Sequence, residues 1–511
     1  MNNKDNTLIL GGREYHDATG YDRLHMPRHT MDWPNVPRQT KSYPLLPKIV
    51  LEPKIGRTAK PFWQVMQDTE NTCGSGTMDV QSVAAVLGLS YGYTARQRAG
   101  GQEYLYRSVP SAGALYPVEI YVSGQGIPGL PKGLFHYDIQ GFFLQQLRGE
   151  DASAHIAEAL TIPKSEKKWV SFILSGIFFR SSWKYRKRAF RYVLLDTGHL
   201  VENLMSTLTF AGLSCSVRYD FEDERLCSLV GLDRHKEACF AIVDVHLEER
   251  RHGIERGSSP LRPMALDAEM IGASRVSSRE VSFEAMQQMY IASSEPGKRR
   301  NLGSEMSAIT LPEPTEWFPV RQPEVKNHGT GYVDVVQGRR SRRNFVRQPI
   351  PAMSVMRLLS LLSMAAGPGG KAETCARPVT TGFLLGQVEG FDAGYYQLAD
   401  LERAYGLLKP GLFIEKMTGI CLDQRWIANA GALFLFMANL KALDESCGAR
   451  GYRYAMMEAG KLGQRLYLGS TALGLGCCGI GAFYDNEARE LLSLNSDSYL
   501  LYLVAVGNIK R

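Results

Sequence analysis

Two short segments of this 511-residue chain carry residue types suited to holding a ligand. The first runs from Pro110 to Pro117 and reads Pro-Ser-Ala-Gly-Ala-Leu-Tyr-Pro, just before an apolar strand. The small residues Ser111, Ala112 and Gly113 allow backbone to lie flat against a planar group, because no side chain holds that group away. A tight strand entrance without a ligand has the same composition, so this segment alone leaves both interpretations open.

The second segment is basic and precedes a predicted helix over residues 353–362. It contains Arg339, Arg340, Ser341 and Arg343. Guanidinium groups and a hydroxyl beside a helix provide charge-assisted, partly bidentate donors, which suit a phosphate monoester. The alternative is a solvated basic turn with no ligand.

An internal repeat links the two segments. Residues 188–221 align without a gap with residues 450–483, and eleven of the 34 positions are identical. Each copy predicts a helix that ends in Gly-Leu at a turn, and a buried apolar strand precedes each helix. The period is too long for a solenoid, so the repeat indicates a duplicated domain.

The two repeats differ where chemistry could take place. Residues 67–73 are acidic and amidic where the second repeat has its arginines, and residues 380–387 carry Phe and Leu opposite the small residues of the first motif. Lys184 and Tyr185 occur in the first repeat only, whereas the Gly-rich run 474–483 belongs to the second. Each repeat retains what the other lacks, which favours one composite site between the halves.

Composition excludes several classes of protein. The net charge of +7, 44% hydrophobic and 22% charged residues are ordinary for a soluble globular chain, and no basic block is dense enough to predict binding to nucleic acid. Nine cysteines without framework spacing indicate reduced thiols and a cytoplasmic setting. The polar N-terminus does not resemble a signal peptide, and no apolar run approaches the length of a membrane span. We predict no metal site.

The chain divides into four predicted parts. They are an N-terminal extension over residues 1–55 that lies on the first domain, a first domain over 56–250, a polar connector over 251–330 and a second domain over 331–511. The connector contains one predicted helix near residues 283–291. Within each repeat helical patterns alternate with short strands, which indicates an α+β or α/β sheet flanked by helices.

Three motifs together resemble the nitroreductase superfamily. They are the Arg-Arg-Ser-x-Arg start at Arg339, the Pro-Ser-x-Gly-Ala-Leu-Tyr-Pro entrance at Pro110 and the Gly-Leu-Gly-x-x-Gly-Ile-Gly run at Gly474. The chain is most similar to the SagB-type (McbC-like) dehydrogenases of thiazole/oxazole-modified peptide pathways. Members of the superfamily are homodimers that bind FMN at the subunit interface. The resemblance therefore implies an α+β fold of two nitroreductase-like domains, fused as an intramolecular pseudodimer with one working FMN site.

The resemblance also implies roles for individual residues. Residues of the second repeat would hold the FMN phosphate and ribityl end, and backbone of the Gly-rich run would face the flavin from the same half. The entrance motif of the first repeat would reach the isoalloxazine ring. The residues for the phosphate and ribityl end are Arg339, Arg340, Ser341 and Arg343. Those of the Gly-rich run are Gly479, Ile480 and Gly481, and those of the entrance motif are Pro110, Ser111, Ala112 and Gly113.

Lys184 and Tyr185 match a Lys-Tyr pair that has a catalytic role in the azoline-oxidising members of the family. Burial lowers the pKa of a lysine and makes it a plausible general base, and a tyrosine phenol can relay or donate a proton. The alternative is a surface pair within a basic loop, since Arg186, Lys187 and Arg188 follow directly.

Three functions fit these observations. The first is an FMN-dependent dehydrogenase that oxidises azoline-type heterocycles in a modified peptide, with peptide-modifying enzymes as partners. The second is an NAD(P)H-dependent reductase of nitro compounds or quinones, which takes a small-molecule substrate and has no need of Lys184 and Tyr185. The third is a non-catalytic flavin-binding or scaffold protein. The sequence identifies neither the natural substrate nor the electron acceptor.

Overall fold

The structure is a computed structural model. It describes residues 8–26, 29–52, 60–71, 76–99, 102–160, 169–247, 266–296, 309, 311–321, 329–364 and 378–510. The strands are β1 Lys48–Val50, β2 Tyr93–Ala99, β3 Gln102–Arg107, β4 Val118–Gly124, β5 Gly133–Asp138, β6 Phe143–Arg148, β7 Trp169–Ile177, β8 Ser214–Arg218, β9 Glu237–His246, β10 Phe318–Pro319, β11 Thr380–Leu385, β12 Gly394–Ala399, β13 Ala404–Pro410, β14 Ala432–Asn439, β15 Gly476–Ile480 and β16 Ser498–Gly507. The helices are α1 Gly12–Ala18, α2 Phe62–Asn71, α3 Val80–Tyr91, α4 Ser153–Ala159, α5 Phe178–Tyr185, α6 Ala189–Phe210, α7 Asp223–Val230, α8 Ala268–Gly272, α9 Glu284–Ser294, α10 Tyr332–Gly338, α11 Ala352–Leu362, α12 Ile414–Ile420, α13 Leu440–Cys447, α14 Arg450–Ala472 and α15 Asp485–Leu491.

The strands form two seven-stranded antiparallel sheets with the same topology. The strand order is β1-β6-β5-β4-β7-β9-β8 in the first and β10-β13-β12-β11-β14-β16-β15 in the second, while β2 and β3 form a separate hairpin. We name the part built on the first sheet the first lobe and the part built on the second sheet the second lobe. The duplication predicted from the sequence repeat is confirmed, as are the α+β fold and the pseudodimer that the family resemblance implied.

The centre of each sheet is buried on both faces. Strands β4 and β16 are buried at every residue, and β14 at all but its last. Strands covered on both faces carry continuous apolar runs in place of alternation, which is why the sequence showed apolar runs before each repeated helix. The long helices α6 and α14 are also buried along almost their whole length and pack against each other between the lobes.

The repeated glycines mark the place where α6 and α14 cross. A Cβ atom on Gly198 would lie 2.0 Å from the carbonyl oxygen of Met457, and one on Gly460 would lie 2.2 Å from that of Leu195. Since a backbone carbonyl cannot move aside cheaply, only glycine allows the helices to approach this closely.

We expect Gly198→Ala to lower the free energy of unfolding by about 3 kcal/mol, as overpacking in a rigid contact does. Denaturant unfolding monitored by circular dichroism measures the change. Gly272→Ala in α8 is the matched control, because no atom lies within 4 Å of a Cβ placed there. Equal stability of Gly198→Ala and wild type would contradict the packing described for the crossing.

An ionic cluster occurs twice, once in each half of the pseudodimer. Arg188 and Arg191 of α6 bind the two carboxylate oxygens of Asp485, each at 2.7 Å. In the equivalent cluster of the other half, Arg450 and Arg453 of α14 bind Asp223 at 2.9 and 2.7 Å. Every arginine reaches across to the other lobe, so the identical arginines of the repeat hold the lobes together.

The N-terminal segment was predicted to lie over the first lobe, but it contacts both. The amide of Gly12 donates to Asp444 of the second lobe at 2.7 Å, whereas Lys41 forms a buried ion pair with Glu237 of the first at 2.6 Å. Its residues alternate between polar contacts with each lobe, and no local pattern in the sequence shows which lobe is near. Among the helices that the structure describes, none combines the length and apolarity needed to cross a membrane.

Candidate active site between the lobes

The segment from Pro110 to Pro117 is a left-handed turn before β4. The φ angles of Gly113, Ala114 and Tyr116 are 64°, 55° and 47°. Residues other than glycine adopt such angles at a cost of about 1 kcal/mol or more each, so surrounding contacts must hold the turn. Ser111 Oγ supplies one of these contacts, since it accepts a hydrogen bond from the amide of Tyr116 at 2.8 Å.

Asp196 of α6 holds the other side of this turn. Its carboxylate accepts hydrogen bonds from Ser111 Oγ and, at 3.3 Å, from the amide of Ala112. The side chain is only 6% exposed, and burial raises the pKa of Asp196 to about 7, although both hydrogen bonds act in the opposite direction.

Lys184 and Tyr185 end α5 and lie beside the turn. A Cβ atom on Gly113 would lie 2.9 Å from the Tyr185 hydroxyl and 3.2 Å from Lys184 Nζ. Burial and the charge of Arg343 both lower the pKa of Lys184. Burial raises the pKa of the Tyr185 phenol, which therefore stays protonated. Lys184 and Tyr185 are thus half-buried next to the Pro110–Pro117 turn.

Arg339 comes from the second lobe and reaches the backbone just before the turn. Nε donates to the carbonyl of Ser108 at 2.7 Å and Nη2 to the carbonyl of Arg107 at 2.8 Å. The residue is 2% exposed, and its third nitrogen, Nη1, is buried without a hydrogen-bond partner among the described residues. Such an unpaired donor on a buried guanidinium is costly unless another acceptor occupies the site.

The other members of the basic segment separate. Arg340 faces the β2–β3 hairpin, where its guanidinium donates to the carbonyl of Thr94 at 2.7 Å and to the Thr94 hydroxyl at 3.1 Å. Ser341 is exposed, and its hydroxyl lies 3.0 Å from the hydroxyl of Tyr467. Arg343 is also exposed and lies over the ring of Trp426. Arg339 thus holds the backbone just before the turn, and the charge of Arg343 acts on Lys184, whereas Arg340 contacts the hairpin.

The Gly-rich run begins with the predicted turn after α14, where Gly474 has a φ of 72°, and then forms the edge strand β15. Ile480 packs into the core of the second lobe. The amide of Gly479 donates to Tyr467 at 2.7 Å, so this N–H is engaged, and Gly481 accepts from the Tyr192 hydroxyl of the first lobe at 3.0 Å. A Cβ atom on Gly479 would lie 1.7 Å from the hydroxyl of Tyr502, which explains the requirement for glycine there.

Side chains of both lobes lie together in one region, which includes the Pro110–Pro117 turn and the Lys184–Tyr185 pair. Arg339 hydrogen-bonds Ser108, two residues before Pro110, and the charge of Arg343 acts on Lys184 and Tyr185, which lie against Gly113. The region combines two arginines and a lysine with buried phenols and one buried carboxylate. It suits an anionic ligand that has a planar part.

The pseudosymmetric position is built differently. Glu458 occupies the place of Asp196 and pairs with the buried Lys461 at 2.9 Å. Arg465 pairs with Glu202 at 2.7 Å, and the Tyr454 hydroxyl donates to Asp220. Protein charges neutralise one another there, and residues 67–71 supply no cation.

Sequence reasoning missed Asp196 and the phenols of Tyr192, Tyr467 and Tyr502. One signal was available for Asp196, namely an acid in the middle of the apolar stretch Val-Leu-Leu-Asp-Thr-Gly-His-Leu-Val of a helix. A carboxyl in such surroundings is buried and needs partners. The tyrosines gave no such signal, because buried tyrosines are ordinary core residues.

The fold places this chain in a class of proteins that contain two copies of one α+β unit fused in a single chain, and the candidate site lies between the two copies. The chain belongs to the Nitroreductase family, whose family model matches residues 72–245 and 336–508. This membership confirms the predicted superfamily, its duplicated form and the predicted enzyme class, a flavin-dependent oxidoreductase.

Individual proteins agree with this assignment. MJ1384 of Methanocaldococcus jannaschii, described as a nitroreductase, is 30% identical over 178 residues, which cover 34% of this chain and 89% of that protein. The trifolitoxin-processing protein TfxB of Rhizobium leguminosarum bv. trifolii is 31% identical over 29% of this chain and 42% of its own length, in agreement with the SagB-type resemblance. A crystal structure from Anabaena variabilis, also described as a nitroreductase, covers 98% of this chain and 100% of its own with a TM-score of 0.78 at 24% identity, and shows the same fold.

Proposed function

We propose that this protein is an FMN-dependent dehydrogenase that oxidises azoline-type heterocycles in a modified peptide. One observation carries the proposal: the Lys184–Tyr185 pair lies against the small-residue turn of one lobe, within the field of Arg343 from the other. A plain nitro or quinone reductase has no need of a half-buried lysine with a lowered pKa at this point.

The residues fit FMN. The buried, unpartnered Nη1 of Arg339 offers a donor, and the exposed Arg343 and Ser341 offer further donors for a phosphate. A side chain on Gly113 would collide with Tyr185 and Lys184, since its Cβ atom would lie 2.9 Å from the Tyr185 hydroxyl and 3.2 Å from Lys184 Nζ, so glycine lets this backbone lie directly against the pair. Arg340 is engaged with Thr94, so we assign it to support of the hairpin more than to the phosphate. When bound, FMN supplies the hydride acceptor, its N5 atom.

The protein's own groups supply proton transfer and orientation. Lys184 Nζ accepts a proton from the substrate carbon, since burial and Arg343 favour the neutral amine. The Tyr185 hydroxyl, which stays protonated, donates a hydrogen bond to the substrate and orients it beside Lys184. When FMN is bound, Pro110, Ser111, Ala112 and Gly113 of the first lobe would contact its ring, and the 479–481 backbone would contact it from the second.

A peptide substrate and peptide-modifying partner enzymes are part of this proposal. They are supported by the sequence similarity to TfxB, whose name assigns it to the processing of trifolitoxin. Since the matched region spans 42% of TfxB, the activity of that whole protein is not transferred.

We expect one FMN per chain, because the pseudosymmetric position contains mutually paired protein charges and no free phosphate ligand among its described residues. Titration of the apoprotein with FMN, followed by flavin fluorescence, measures the stoichiometry. A value near two would contradict the single composite site, and a protein that binds none would support the scaffold function.

Turnover assays then separate dehydrogenase from reductase. A synthetic thiazoline peptide should bleach the bound flavin without oxygen, and oxygen should restore its colour. MJ1384 is described as a nitroreductase, so NADPH with a nitroarene is the corresponding test of the alternative. Rapid bleaching by NADPH with no response to thiazoline would favour the reductase.

A further inference from the structure

We infer that Asp196 is a positioning residue that, when ionised, holds the Ser111–Tyr116 turn in the conformation that the composite site requires. The inference rests on the proposed function, since it concerns the same site. Asp196 acts through its hydrogen bonds to Ser111 and Ala112, and the structure gives it no direct contact with Lys184.

The hydrogen bonds form a short chain from α6 through the turn. Ser111 Oγ donates its proton to Asp196 and accepts from the amide of Tyr116, so one hydroxyl closes a turn of six residues. The left-handed angles of Ala114 and Tyr116 lie between these contacts. An ionised carboxylate accepts both donors, Ser111 Oγ and the Ala112 amide. A protonated carboxyl presents a donor of its own towards Ser111, and the Ser111 hydroxyl must then reorient, which weakens the closure.

The surroundings of Asp196 let its charge change near neutral pH. The titratable groups whose pKa the charge of Asp196 raises are phenols, namely those of Tyr91 in α3, Tyr116 in the turn, Tyr185 in α5 and Tyr502 in β16. None of these phenols ionises near neutral pH. Among the described residues no lysine, arginine or histidine forms an ion pair with Asp196. Burial raises the pKa of Asp196 to about 7, so the turn is held above neutral pH and loosened below it.

The first test uses the apoprotein and its thermal stability. The folded-state pKa of Asp196 lies above its unfolded value of about 4, so the neutral form stabilises the fold at low pH, and this stabilisation is lost as pH rises towards 7. We therefore expect the Tm difference, Asp196→Asn minus wild type, to increase from pH 4 to pH 7 and to stay constant at higher pH. A difference that does not change with pH would overturn the inference.

The second test uses the FMN-loaded protein. Between pH 6 and 8, the FMN affinity and the rate of thiazoline oxidation of wild type should each increase about tenfold more than those of Asp196→Asn. Ser111→Ala should lack this additional increase too, because the hydroxyl that transmits the charge is absent. The side-by-side comparison removes the contribution of the FMN phosphate, whose second pKa is about 6.

Asp244 provides the matched control. It is a second buried aspartate of the same lobe, accepts from the Ser171 hydroxyl at 2.6 Å and has its pKa raised by burial to about 6. Asp244→Asn should change Tm with pH but leave the pH dependence of FMN affinity as in wild type. If wild type binds no FMN, the proposed function fails. If wild type binds FMN and Asp196→Asn keeps the full pH dependence, only the role of Asp196 fails.

Discussion

Lys184→Ala is expected to lower the rate of thiazoline oxidation by about 10²–10⁴-fold, the usual contribution of a general base, while FMN remains bound. The reason is the position of Nζ, which a Cβ atom on Gly113 would approach to 3.2 Å, together with the lowered pKa of the amine. Single-turnover bleaching of the flavin by the thiazoline peptide measures the effect, and the visible spectrum reports bound FMN.

Two variants sharpen this experiment. Lys187→Ala removes an exposed lysine three residues further on and should leave turnover unchanged. Lys184→Arg keeps a positive charge but has no neutral base at accessible pH, so it should be as slow as Lys184→Ala. Normal turnover in Lys184→Arg would show that the lysine contributes charge alone, and normal turnover in Lys184→Ala would remove it from the chemistry.

The repeat in the sequence predicted the duplication, and its identical glycines and arginines have the same physical roles in both halves. The pattern of helices and strands left α+β and α/β open, and the family resemblance implied α+β. Gly198 and Gly460 allow the helices to cross, and Arg188 and Arg450 each bind an aspartate of the other lobe. The complementary differences between the repeats likewise predicted groups of both halves at one site. The domain boundaries at residues 250 and 330 stay a prediction; residues 248–265 and 322–328, at and next to these boundaries, lie outside the described residues.

Other features of the site depend on contacts that no local pattern contains. Arg339 and Arg340 are neighbours in sequence, but Arg339 binds the carbonyls of Arg107 and Ser108, whereas Arg340 binds Thr94. Asp196 and Ser111 are 85 residues apart, so their hydrogen bond exists only in the folded lobe. The Gly-rich run became an edge strand because β16 provides a pairing partner for it.

Asp485→Ala is expected to lower the free energy of unfolding by about 3–5 kcal/mol, because it leaves Arg188 and Arg191 buried without their carboxylate. Arg188 also connects this carboxylate to the site, since its Nη2 donates to the carbonyl of Gly481 at 3.0 Å. We therefore expect FMN affinity to fall about tenfold as well. Chemical denaturation of the apoprotein and an FMN titration at a temperature where the variant is folded measure the two effects separately.

The pseudosymmetry supplies the control. Asp223→Ala removes the equivalent carboxylate from Arg450 and Arg453, at the end of the molecule where protein charges are already paired. The Asp223 side chain is 1% exposed and that of Asp485 is 11% exposed, so the loss of stability should be at least as large as in Asp485→Ala, while the FMN affinity should equal that of wild type. A drop in FMN affinity of the same size in both variants would mean that stability alone controls binding. A drop confined to Asp485→Ala would tie the cluster to the cofactor, because only that copy of the interface borders the Gly479–Gly481 backbone.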